Sequence, residues 1–250
     1  MNYSLFTNRK ILFLLIYLLF SINVFAQIED LEDEMVDYQY WVDYNANYDL
    51  EKNFKLYGDA GWRIISPHLW TRYFVRPAIS YTHFPNIKTK RPLKLEYHFG
   101  IGLFYTDFTN ISNHLEIRPF QGINIEWATF KQLQISHYIR LEEQFDYFNN
   151  SWDIGLRARY MFAGVYEWQN ENWKTLNNFY LPFHIEFFWN FDEAIGFNDL
   201  IRFTLGLGYI VNPEWKIEFS PSYHRRKFDI ENTFETNDFV FRLRVFHSLN

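Results

Sequence analysis

Cysteine is absent from the 250 residues, which excludes a disulfide framework, a thiol nucleophile and a thiolate-ligated zinc. A basic excess is absent too: 24 Lys and Arg stand against 30 Asp and Glu, a formal charge of −6. A nucleic-acid partner is therefore not expected, since it needs a basic field. Beyond residue 26 no apolar run approaches the roughly 20 residues that a membrane-spanning helix needs. No two histidines stand at the H-x-x-x-H spacing of a helical metal pair. Mean hydropathy is −0.30, too low for a bundle of apolar helices. Rings, by contrast, are abundant. Aromatic residues make up 22% of the chain, with 28 Phe and 18 Tyr. Many rings at low mean hydropathy is what alternating strands produce, with one face apolar and the other wet.

The first residues read as a secretory leader. Arg9-Lys10 forms a basic n-region, Ile11 to Phe20 an unbroken apolar run, and Val24-Phe25-Ala26 a cleavage site before Gln27. Residues 1–26 are thus expected to be a signal peptide of the Sec pathway, cleaved after Ala26. Losing Arg9 and Lys10 takes the charge from −6 to −8. Residues 27–36 follow as an acidic lead-in, with Glu29-Asp30-Leu31-Glu32-Asp33-Glu34 at its centre.

From residue 37 to the end the period is two. Tyr40, Val42, Tyr44, Ala46, Tyr48 and Leu50 share one face, and Trp41, Asp43, Asn45, Asn47 and Asp49 the other. Helical spacing sorts no such segment so cleanly. Eleven segments behave this way, the last being Phe239, Phe241, Leu243 and Val245 against Arg242 and Arg244. Runs of about 11 residues exceed the 5–6 of a soluble strand and match the 9–11 of a tilted membrane strand. The expectation is an all-β fold: one antiparallel, transmembrane, up-and-down β-barrel of 10–12 strands over residues 37–250. Twelve is preferred because bacterial single-chain barrels have even strand numbers. A twelfth strand would lie in the acidic lead-in or between Val165 and Phe179. Short turns are expected at one end and longer loops at the other. Pro77, Pro119, Pro182 and Pro221 fall inside strands, where each removes a ladder donor, so local breaks are expected there. Gln121 and His137 fall on the apolar face against the pattern.

In a membrane barrel the apolar face turns outward and the polar face lines the lumen. Three features favour that inversion over a soluble barrel. The polar face is charged on nearly every strand. It carries Gly100, Gly102, Gly155, Gly206 and Gly208, read as room for long charged side chains opposite. The apolar face ends in rings, namely Tyr40, Trp62, Tyr81, Tyr105, Trp127, Trp189, Tyr209 and Trp215, as interfacial girdles do.

The expected lumen holds a charge ladder of Arg72, Arg76, Arg118, Arg140, Arg157, Arg159, Arg202, Arg242 and Arg244, with Arg63 beside them. Against them stand Glu96, Glu116, Glu126, Glu142, Glu186 and Glu218. Mixed signs point to a polar plug of interlocked ion pairs rather than to an ion-selective ring. No catalytic, cofactor or metal site is expected. Ser136 and His137 are adjacent and point to opposite faces, whereas Ser222 and His224 share a face, as do His184 and Glu186. The leading expectation is a non-enzymatic outer-membrane protein, structural or a narrow porin-like passive pore. Its partners would be outer-membrane lipid and the outer-membrane assembly machinery. The alternatives are a lipid-modifying enzyme with a Ser–His pair at the membrane rim, or a secreted soluble binding barrel.

Glu116-x-Arg118-Pro119-Phe120-Gln121 and Ile139-Arg140-Leu141-Glu142-Glu143-Gln144-Phe145 resemble the DUF2490 family. So do Arg72 to Tyr81 (R-x-x-x-R-P-x-x-x-Y), Gly155 to Tyr160 with its paired arginines, and Asn198 to Tyr209 ending in G-x-G-Y. The resemblance runs from about Tyr38 to the C-terminus. It implies an exported outer-membrane barrel of the kind common in Bacteroidetes, with no assigned function and no catalytic residues to carry over. The chain departs from many such barrels in ending His247-Ser248-Leu249-Asn250 rather than in an aromatic residue.

Overall fold

A computed structural model describes residues 35–51, 53–66, 70–85, 93–108, 112–130, 132–168, 178–191, 198–227 and 234–249. The expected signal peptide and Glu29–Glu34 of the lead-in lie outside them, as do residues 169–177 of the Val165–Phe179 interval. The described residues contain strands and no helix: β1 (Met35–Glu51), β2 (Phe54–Ser66), β3 (Trp70–His83), β4 (Lys94–Phe108), β5 (His114–Phe130), β6 (Leu133–Phe148), β7 (Ser151–Glu167), β8 (Phe179–Asn190), β9 (Asn198–Leu205), β10 (Leu207–Ile210), β11 (Trp215–Lys227) and β12 (Phe234–Ser248). Consecutive strands pair antiparallel around one sheet, except that β9 and β10 each pair with β8 and β11 rather than with each other, and the sheet closes where β12 meets β1. The barrel is therefore closed and all-β, with twelve strands, and β1 begins two residues ahead of the expected start at 37.

Two features refine that expectation. First, β9 and β10 lie in one register along the same neighbours. Phe183↔Leu205 on β9 continues as Tyr180↔Gly208 on β10, and Ser222↔Thr204 continues as Leu207↔Phe219. Twelve segments thus make eleven staves, one for each of the eleven alternating segments of the sequence. Second, closure is parallel: Met35↔Thr236 runs in step to Asn47↔Ser248. An odd number of staves requires this, because antiparallel succession leaves the first and last pointing the same way.

The prolines explain the interruptions. The β3–β4 pairing passes from Val75↔Leu103 to Ala78↔Gly100, skipping Pro77. The β5–β6 pairing passes from Ile117↔Phe145 to Phe120↔Glu142, skipping Pro119. Each proline lacks the N–H that its neighbour's carbonyl would accept, yet the register resumes unshifted. Pro182 on β8 lies opposite Gly206 and Pro221 on β11 opposite the adjoining Leu205, so that stave meets a missing donor on each side within one residue and divides into β9 and β10. Gly206 N–H keeps one bond there, 2.7 Å to the Pro182 carbonyl.

We define the first rim as the end where β1 begins and the second rim as the end where it finishes. Connections at the second rim span residues 52–53, 84–93, 131–132, 168–178 and 211–214. Those at the first rim span 67–69, 109–113, 149–150, 191–197 and 228–233. Short and long connections occur at both rims, so the expected division into a turn end and a loop end does not hold. One of the two-residue connections is Asn149-Asn150, at φ 49° and 61°, the left-handed pair that such a hairpin needs and that asparagine tolerates.

Outward positions are apolar and open. Leu205 is 51% exposed and Leu243 40%, whereas Glu142 and Asp43 on the opposite face are at 0%. Rings gather outward near both rims. At the second rim Phe54 and Tyr81 lie 4.9 Å apart, as do Phe179 and Tyr209. At the first rim Tyr147 and Trp152 lie 5.1 Å apart.

The inward glycines make room chiefly for rings rather than for charged side chains. The Phe120 ring covers Gly100, the Phe104 ring Gly102 and the Tyr180 ring Gly208. At Gly102 the Arg76 side chain also approaches, with Cγ 3.2 Å from where a Cβ would sit. A Cβ at Gly208 would collide with Tyr180. Gly208→Val is expected to destabilise the barrel by about 1–3 kcal/mol, the usual range for overpacking. A urea unfolding curve in detergent micelles, read by tryptophan fluorescence, checks it; an unmoved midpoint would refute the packing role.

Candidate functional site: the filled lumen

Strand parity sends every second side chain inward, and eleven staves enclose a wider interior than the eight that ordinary side chains just fill. Long side chains occupy it. The centre is Glu142 on β6. Its Oε1 accepts from Arg159 Nη1 at 2.8 Å and its Oε2 from Arg157 Nε at 2.7 Å. Arg140 approaches on the same strand, and Arg118 Nη1 lies 3.7 Å away on β5. Arg159 also pairs with Glu186, with Nε at 3.0 Å, and Glu186 accepts from Arg202 Nη1 at 3.1 Å. Arg118 pairs with Glu116, which Arg72 reaches at 3.9 Å and to which Gln144 Nε2 donates at 3.3 Å. One continuous ionic chain thus crosses the lumen from β3 to β9.

Arg242 and Arg244 are held separately. Arg242 pairs with Asp43 on β1, across the parallel closure, and Arg244 with Glu218 on β11. Arg76 pairs with Asp59, its Nε donating to Oδ1 at 2.9 Å. Glu96 and Glu126 stand apart from this central layer. They lie near the second rim, where Lys94 Nζ is 3.6 Å from Glu96 and 3.3 Å from Glu126, and Ser80 donates to Glu96 at 2.8 Å.

Sequence reasoning placed Asp43 and Trp41 on the wet face but did not assign Asp43 or Asp59 a role in the ladder. It also missed the buried rings. Phe74, Phe104, Phe120 and Phe188 are inward and buried, with Phe104 2% exposed. Their signal was parity: Phe74 lies between Arg72 and Arg76, and Phe120 two residues after Arg118. These rings take the guanidinium faces. Arg63 lies 3.9 Å from the Trp41 ring centre and 4.6 Å from that of Phe74. Arg140 lies 4.0 Å from Phe120, Arg118 4.5 Å from Phe104, and Arg159 4.7 Å from Phe188. Desolvated cation–π contacts of this kind are worth about 2 kcal/mol or more. They offset part of the penalty of burying arginines that outnumber the nearby carboxylates.

The Ser222–His224 pair sits in this lumen near the first rim, with Ser222 Oγ 3.0 Å from His224 Nε2. His224 is wholly buried, its ring edge-on to Trp41 at 5.5 Å. Gln39 donates to the neighbouring Asp238 at 2.9 Å and accepts from Trp41 Nε1 at 2.9 Å. His184 and Glu186 share the inward face of β8. Among the described residues no group of three or more His, Cys, Asp or Glu is arranged to hold a metal ion.

Nine of the eleven staves carry, in turn, the buried inward side chains Asp43, Phe74, Phe104, Arg118, Glu142, Glu186, Thr204, Ser220 and Val240.

No curated protein and no solved structure matches the chain. The family described as "Protein of unknown function (DUF2490)" matches residues 38–235, which run from the start of β1 into β12. Most of the residues that fill the lumen fall within that match, Asp238, Val240, Arg242 and Arg244 of β12 lying beyond it, and the chain belongs to the DUF2490 family.

Proposed function

We propose that the protein is an outer-membrane barrel sealed by its own side chains, a structural element of the membrane rather than an open pore or an enzyme. The observation that carries this reading is the pairing of an apolar outer wall with a lumen whose central carboxylates are buried. Hydrocarbon offers no hydrogen-bond partner, so a chain that crosses it with strands must close its sheet, as this one does. Rings near both rims suit the headgroup level. The leader read from residues 1–26 supplies export, with membrane lipid and the assembly machinery as the expected partners. The lipid-modifying alternative needs a serine and a histidine at the membrane rim; Ser222 and His224 point into the lumen instead, and His224 lacks access.

The test is fractionation followed by electrical recording. The protein is expected in the outer-membrane fraction, resistant to alkaline wash, and silent in planar bilayers. Recovery in the soluble periplasm would refute the membrane reading. Discrete conductance steps from the unaltered protein would refute the seal.

A further inference from the structure

The outer wall between the two levels of rings is apolar on every stave, with one marked exception. Gln121 on β5 and Glu143 on β6 both point outward and are exposed. Glu143 is four residues from the outward ring of Tyr147, about 13 Å along the strand, well inside the apolar belt. Gln121 faces Leu141, which places it diagonally from Glu143 at about 7–8 Å between backbones. Both line a notch of about 290 Å³ with Phe99, Pro119 and Leu141, where the β5–β6 ladder is interrupted at Pro119. His137 and His247, also on this wall, have partners in the Tyr160 hydroxyl at 2.8 Å and the Tyr44 hydroxyl at 2.6 Å. Gln121 and Glu143 bond neither each other nor any other described residue.

A carboxylate and an amide turned toward hydrocarbon are costly unless something covers them, and ionisable groups at this depth mark interaction sites. The chemistry of the pair names the cover. A carboxylate only accepts and an amide nitrogen donates. Under a two-fold axis the patch is complementary to itself, with the Gln121 of each copy donating to the Glu143 of the other. The surrounding surface is apolar, with Phe99 53% exposed and Ile139 48%, so two copies can meet without burying further charge. We propose that this patch on β5 and β6 is the centre of a homodimer interface, joined by reciprocal Gln121–Glu143 hydrogen bonds. The proposal rests on the reading that the outer wall faces lipid.

The mass of the purified protein in detergent, and step counts from photobleaching in phosphatidylcholine vesicles, test it. The unaltered chain is expected to be dimeric. Glu143→Leu and Gln121→Leu should each weaken dimerisation at least tenfold while the barrel still folds, shown by a faster-migrating unboiled band. Glu143→Gln should keep the dimer, because two amides still exchange hydrogen bonds. The absence of native cysteine allows a clean cross-link: Leu141→Cys should link copies in membranes, and Ile79→Cys, several staves away, should not. A monomeric wild type that needs detergent, a dimer untouched by both leucine variants, or a different protein bound at this patch would overturn the dimer alone. A wild type that is soluble without detergent would instead overturn the membrane reading.

Discussion

Glu142→Ala is expected to abolish the folded barrel. Glu142 is fully buried and is the shared partner of Arg118, Arg140, Arg157 and Arg159. Removing one partner of a buried ion pair typically costs about 3–5 kcal/mol, because the remaining charge is left desolvated. Here one deletion strands several guanidinium groups that also repel one another. The expected loss is therefore at or above that range, comparable with the whole stability of many domains. Refolding into vesicles should yield no heat-modifiable band for Glu142→Ala. Glu142→Gln keeps the shape and one acceptor but not the charge, and should fold in reduced yield. Gln144→Ala, on the same strand and face, should be far milder, since Gln144 only donates one hydrogen bond to Glu116. Equal yields for all three would show that the ionic centre contributes nothing to the fold.

The second large effect is electrical. Trp41, Arg63 and Phe74 form one stack on β1, β2 and β3, with Arg63 between the two rings. Replacing all three with alanine removes much of the filling on that side of the lumen. It spares the paired carboxylates Asp43 and Asp59, which Arg242 and Arg76 still hold. The space left is lined by polar groups and large enough for water, so it should hydrate rather than stay dry. The triple variant is expected to give discrete openings in planar bilayers, where the unaltered protein gives none. Silence from a correctly folded triple variant would place the seal elsewhere, among the Glu142 and Glu186 pairs.

Much of this fold was legible because alternation encodes which face each residue takes. The eleven alternating segments correspond to the eleven staves, and the arginines of the polar face turn inward with them. Direction was not legible. Alternation reads the same for parallel and antiparallel neighbours, so the pairing of β1 with β12 leaves no trace in either strand's pattern. The even-number rule favoured twelve strands, and the twelfth segment arises from a stave divided at Gly206, not from an overlooked hairpin. The prolines correctly announced interruptions, but that Pro182 and Pro221 face adjoining residues of one stave, Gly206 and Leu205, depends on register.

In the lumen, charge drew attention to the ladder and away from the rings between its members. Phe74, Phe104, Phe120 and Phe188 were readable from parity alone, yet a phenylalanine on a charged face looks like an exception until its partner is seen to be a guanidinium. The partners of each arginine were not readable, because Asp43–Arg242 joins residues at opposite ends of the chain. Glu143 follows Leu141 on the outward face of β6 by the same count of two; only the structure sets it beside Gln121.

The same-sense joint between β1 and β12 sets these two strands apart from every other neighbouring pair. If the cylinder spans a bilayer, Met35 and Ser248 emerge on opposite sides of it, so folding has to carry one extremity of the polypeptide across. Sealing the wall then unites two edges whose hydrogen bonds are slanted and evenly spaced, slightly weaker per residue than the antiparallel ladders elsewhere. Parting that one line of bonds would open the cylinder without separating any two strands that follow one another in the chain.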